Sequence, residues 1–167
     1  MPFTPLHMGP GILIKAILQG SFSLMVFGWA QILMDVQPLF VIITGAGQLH
    51  GFSHTYIGAS LIAIASAFTG KYLSEYGLVV LGIHKKENNS DIAWWVVFIS
   101  AFIGTYTHVA LDSIMHFDIQ PFFPFRPTNS LLGLIGIDML NKLCIYIGLL
   151  GAVIFCAVKY INGRLKD

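Results

Sequence analysis

From Ile92 to Leu111 the chain runs for 20 residues without a charged side chain. It does so again over 19 residues from Ala16 to Met34, 35 from Val36 to Gly70 and 16 from Leu143 to Val158. A helix that crosses a membrane needs about 20 consecutive, mostly apolar residues. In hydrocarbon every backbone N–H and C=O must be bonded inside the protein, which leaves helices as the natural form for such runs. The rest of the chain agrees. Only 10% of the 167 residues are charged and the mean hydropathy is +0.76, whereas soluble domains carry about 25% charged residues. There is too little polar side chain to cover a water-facing surface, so the expectation is one integral membrane domain over residues 1–167.

Other classes are disfavoured. A net charge of +1 offers no basic surface for nucleic acid. The first lysine, Lys15, follows the start of the apolar pattern, so no basic leader region is expected. Cys144 and Cys156 stand 12 residues apart on one expected helix, roughly 18 Å along its axis. They read as apolar packing residues.

The pattern predicts an all-α bundle. Residues 8–34 are apolar but broken near Gly20-Ser21. Residues 35–52 read as a loop, with Pro38, Gly45, Gly47 and Gly51. Long helices are expected over 53–82, 92–117 and 138–161, joined by the polar stretch 84–91 and an aromatic, Pro-rich connection over 118–137. Lys85 and Lys86 in the polar loop and Lys159, Arg164 and Lys166 in the tail fall on one side of an up-down helix pair, which reads as the cytoplasmic side. Trp94 and Trp95 then sit at that boundary, and Asn88-Asn89-Ser90 is an irrelevant glycosylation match.

Against this apolar background stands "HVALDSIMHFD", which places His108, Asp112, His116 and Asp118 within eleven residues. His108 and Asp112 are spaced i, i+4 and share a helix face; His116 is expected to continue it. His50 and His54 have the same spacing, with Gly51 between them. The helix directions bring both pairs to the outer membrane face. His7 and Asp35 would lie roughly 40 Å apart on one straight helix. A turn-back at Gly20-Ser21 brings them together, so a short helical hairpin is expected there. An aspartate in hydrocarbon costs at least about 2.5 kcal/mol. A divalent cation held by His7, Asp35, His50, His54, His108 and Asp112 would offset that. Imidazole and carboxylate donors suit zinc first, with manganese or iron as alternatives, and six ligands suffice for one or two ions. His84 reads as an ordinary loop residue, and the "PFFPF" stretch as an interfacial wedge.

The pieces "FTPLHMGPG", "MDVQP", "LHGFSHTYIGA" and "HVALDSIMHFDIQPFFPF" occur in an order that resembles the YdjM-like family of inner-membrane-associated metal-dependent hydrolases, which includes a LexA-binding member. The resemblance implies a membrane-embedded helical fold in a prokaryotic inner membrane, with a metal site at His7, Asp35, His54, His108 and Asp112. The chain departs from the common family pattern at two places. Asp35-Val36-Gln37 replaces Asp-x-Asp, and Leu49-His50 replaces His-Arg.

The chemistry expected is hydrolysis of an ester or phosphoester at the outer surface, where membrane lipids supply an amphiphilic substrate. A bound cation would lower the pKa of water to about 7. Asp118 or His116 is the candidate general base, and Arg126 the candidate phosphate ligand. The alternative is a non-enzymatic membrane protein with a structural metal site or a cation or proton pathway.

Overall fold

A computed structural model describes residues 4–82 and 91–164. His84, Lys85, Lys86, the Asn88-Asn89-Ser90 match and Lys166 lie outside them. Among the described residues all regular structure is helical: α1 (Met8–Leu18), α2 (Leu24–Met34), α3 (Val36–Thr44), α4 (Tyr56–Val80), α5 (Trp94–Met115) and α6 (Ile137–Arg164). Short 3₁₀ turns cover Thr4–His7, Gln19–Ser21 and Phe52–His54. Four segments are long and apolar enough to cross a membrane: Leu24–Thr44, Tyr56–Val80, Trp94–Met115 and Ile137–Gly163.

The expected hairpin forms, with its turn at Gln19–Ser21 between α1 and α2. Lys15 closes the tip: its Nζ donates to the carbonyls of Gln19 and Phe22, each at 2.7 Å. Both carbonyls belong to the turn that follows α1. Ser23 caps α2 by accepting the Val26 N–H, and its own N–H donates to Ser100 Oγ on α5 at 2.8 Å.

The core is made by α2, α4 and α5. Val26, Ala30, Ala63, Ala67, Val97 and Ala101 meet there and are fully buried. Small side chains let helix axes approach closely, which in a membrane replaces the hydrophobic drive that water would supply. Trp29 Nε1 donates to Thr69 Oγ1 at 2.9 Å between α2 and α4. On the other side α1 packs against α6 through glycines. A Cβ on Gly9 would lie 2.0 Å from the Cys144 carbonyl oxygen, and one on Gly151 would lie 2.6 Å from Leu13 Cα. Most of α6 beyond that seam is exposed apolar side chain, including Ile145, Leu149, Leu150 and Val153.

At one end of α4 and α5 a polar clamp holds the helices together. Lys71 pairs with Glu75 one turn later, donates to Ile92 O at 3.0 Å and sits over the Trp94 ring. Glu75 Oε1 accepts the Ile92 N–H at 2.9 Å. At the opposite end the connection after α5 folds back over the bundle. The Tyr56 N–H donates to Pro121 O, Asn129 Nδ2 donates to Ser113 O at 2.7 Å, and Ile119 is fully buried.

Two expectations need correction. Residues 35–52 are not all loop, because Val36–Thr44 is helix. Pro38 falls in its first turn, where a missing N–H costs nothing, and Gly45 ends it in the left-handed conformation at φ 69°. Nor does His116 continue the α5 face. The helix stops at Met115, and His116 is extended at φ −114°, ψ 126°.

Candidate metal centre

Helix ends supply most of this site. His7 closes the first 3₁₀ turn, Asp35 sits at the joint between α2 and α3, and His54 ends the turn that leads into α4. His108 and Asp112 come from one face of α5. The hairpin therefore returns Asp35 to the end of the bundle where His7 starts. His54 and His108 are fully buried, and His7 and Asp112 nearly so.

Asp112 lies at the centre. Its Oδ1 is 3.6 Å from His7 Nε2, and its Oδ2 is 3.5 Å from His54 Nε2 and 3.1 Å from His108 Nε2. The same His108 nitrogen is 3.4 Å from Asp35 Oδ1. Donor atoms held at 2.0–2.1 Å around one tetrahedral ion stand about 3.3 Å apart. These spacings match that edge length. Nε2 of His54, Nε2 of His108 and Nδ1 of His7 are buried and have no hydrogen-bond partner among the described residues.

An outer hydrogen bond fixes which His108 nitrogen faces the carboxylates. Gln31 Nε2 donates to Gly104 O at 3.1 Å, so the Gln31 amide oxygen is the atom that meets His108 Nδ1, at 2.6 Å. His108 Nδ1 therefore carries a proton. Nε2 is left as the ring atom turned toward the two carboxylates, where it could bind a cation together with them. The same logic of an outer hydrogen bond orienting a ligand holds across metal sites. His54 Nδ1 likewise shares a hydrogen bond with Ser53 Oγ at 2.8 Å. Burial pushes the His7 imidazole down to about 4, against the pull of Asp112, so this ring is an uncharged donor at neutral pH.

His50 and His54 do not share a helix, because Gly51 and the Phe52–His54 turn intervene. Their rings nonetheless meet, with centroids 4.9 Å apart. Gln37 braces this turn: its Oε1 accepts the Ser53 N–H at 3.1 Å and its Nε2 donates to Gln48 O at 3.3 Å. The residue at the second acidic place of the resembled pattern thus holds backbone. His50 Nδ1 donates to Asp118, 2.9 and 3.0 Å from its two oxygens, and its ring stacks on His116 at 4.3 Å. Partial burial opposes ionisation of Asp118, but the His50 hydrogen bond prevails and holds the carboxyl below its ordinary range. Burial also lowers the His116 imidazole. Arg126 stands exposed beyond this layer, with its backbone N–H donating to Phe122 O.

Four overlapping triads have donor atoms within 4.8 Å of one another: His7, His108 and Asp112; Asp35, His54 and His108; His50, His54 and Asp112; and His50, His116 and Asp118. All six residues expected as ligands are in this set, together with the two expected as bases. Sequence reasoning missed Gln31. The signal was present, because Gln31 is the one amide between Ser23 and Asp35 and stands four residues before that acid.

We expect Gln31→Leu to keep the fold and weaken metal binding by about 10–100-fold, the usual cost of losing such an orienting group. Competition titration with a chelating dye measures this directly. Comparison of the chain with protein-family models, curated proteins and solved structures finds no match.

Proposed function

We propose that the chain is a membrane-embedded, metal-dependent hydrolase acting on an ester or phosphoester of an amphiphilic, lipid-like substrate at the extracytoplasmic surface. One observation carries the reading: two buried imidazoles, His54 and His108, present partnerless Nε2 atoms to two carboxylates at ligand spacing, with His7 Nε2 3.6 Å from the same Asp112. His7, Asp35, His54, His108 and Asp112 would hold the ion or ions, zinc being the best match to this donor set, with His50 adjoining. A divalent cation would supply Lewis acidity and an activated water there. Gln31 and Ser53 keep the ligand rings aimed. Burial of His7, His54 and His108 keeps bulk water from competing for them. The resemblance to the YdjM-like hydrolases points to the same chemistry.

A cleft of about 290 Å³ borders the cluster, lined by residues that include His50, Thr55, Asp118, Gln120 and Phe123. Exposed Phe117, Phe122 and Phe125 surround this part of the chain, which suits entry of an amphiphile from the headgroup layer. The alternative is a cation or proton pathway, for which the buried Ser66 and Lys71 on α4 and Ser100 and Thr105 on α5 would supply polar groups along the bundle.

The test is hydrolysis of phospholipids and prenyl phosphates by the detergent-purified protein. Activity should vanish with a chelator and return with zinc or manganese. Hydrolysis that persists through complete metal removal sinks the reading.

A further inference from the structure

We infer that His50, His116 and Asp118 form a separate, outer binding position for a divalent cation, beside the buried centre and facing the cleft. This inference rests on the hydrolase reading and deepens it, since it makes His116 and Asp118 ligands instead of general bases.

The geometry has three parts. First, the donor set is complete enough for an open site. One atom each from His50, His116 and Asp118 lie within 4.8 Å of one another, and two imidazoles with a carboxylate are the three protein ligands that leave a fourth position free. Second, the outer set is the more exposed of the two. His50 is buried, but the Asp118 side chain is 33% exposed and His116 is half-buried. In the inner set His7, His54, His108 and Asp112 are buried and Asp35 alone is comparably open, at 32%. Third, His50 and Asp118 both line the cleft, together with Gln48, Thr55 and Gln120. Among the described residues no lysine or arginine lines that cleft. An anionic group entering it would meet a carboxylate with nothing to offset the charge. A cation at His50, His116 and Asp118 reverses the sign of that wall and gives an anionic oxygen a partner.

The local sequence favours this placement. α5 ends at Met115, which turns His116 off the helix face and stacks it on His50. In the metal-free chain the His50 Nδ1 proton bonded to Asp118 fills the place that the cation takes. The ligand class is a borderline divalent ion such as zinc, manganese or iron.

The experiment is a metal count. Full-length protein in detergent is loaded with zinc, desalted and analysed for metal per chain, beside Asp118→Asn, His116→Gln and His50→Arg. Each variant should carry about one equivalent less than wild type while keeping the rest. His108→Ala should lose inner metal and keep the outer equivalent. Circular dichroism and gel filtration identify any variant that misfolds, and His50→Arg serves as the second route because it removes the ligand and places a positive charge at the same point. If all folded outer variants match wild-type content while His108→Ala loses metal, the outer position is wrong and the hydrolase reading survives. If His108→Ala also keeps full content, or wild type takes up none, both fall.

Discussion

Asp112→Asn should abolish metal-dependent behaviour more completely than any other single change in the chain. Both carboxylate oxygens face ligands, Oδ1 toward His7 and Oδ2 toward His54 and His108. An amide has the same shape but offers one weak acceptor and turns N–H donors toward the ion. Loss of an outer hydrogen bond to a ligand already costs 10–100-fold in affinity, so loss of this central ligand should exceed about 100-fold. Thermal unfolding gives a readout independent of activity. A ligand at about 100 times its Kd stabilises a folded protein by about 2.7 kcal/mol, so wild type should gain a clear shift in Tm with zinc and Asp112→Asn none. A zinc-dependent shift of wild-type size in the variant would remove Asp112 from the centre.

The second large effect comes from a residue that holds no ligand atom. Gly9→Val should both destabilise the fold and weaken the site. Its Cβ would lie 2.0 Å from the Cys144 carbonyl oxygen, and a Cβ on Gly148 would lie 3.2 Å from Gly9 Cα. Backbone cannot rotate away as a side chain can, so α1 must separate from α6. Overpacking of this kind costs about 1–3 kcal/mol, and His7 moves with the helix that carries it. Gly20→Ala is the control, because a Cβ there meets nothing within 4 Å; it should stay within about 0.5 kcal/mol of wild type. Unfolding midpoints and zinc affinity for the two variants check both halves of the prediction. Unchanged zinc affinity in a destabilised Gly9→Val would separate α1 packing from the site.

What could be read from the sequence depended on the range of the interaction. The break at Gly20-Ser21 was legible because His7 and Asp35 could share a site only if the chain turned back there. The His108/Asp112 pair was legible because four residues on a helix fix a shared face. α3 was hidden because Pro38 and the glycines after Thr44 look like loop, whereas Pro38 falls where a helix tolerates proline and Gly45 marks its end. Gly9 against Cys144 and Gly151 against Leu13 join segments more than a hundred residues apart, and no local pattern announces such a seam. His116 and Asp118 were recognised as polar and nearby, but their partner His50 lies 68 residues from Asp118. That pairing follows from how the connection after α5 is pinned, Pro121 to Tyr56 and Asn129 to Ser113. Ester or phosphoester chemistry, the ion and the extracytoplasmic side remain the content of the proposal, resting on donor geometry and on the resemblance.

The Lys71–Glu75–Ile92 clamp has a consequence for engineering. From Trp94 beside it to His108 is fourteen residues along α5, about 21 Å, well past the 7–10 Å within which substitutions couple. Rigidity can therefore be tuned at that pole while reactivity is left alone at the other, and losses introduced at the two should simply sum.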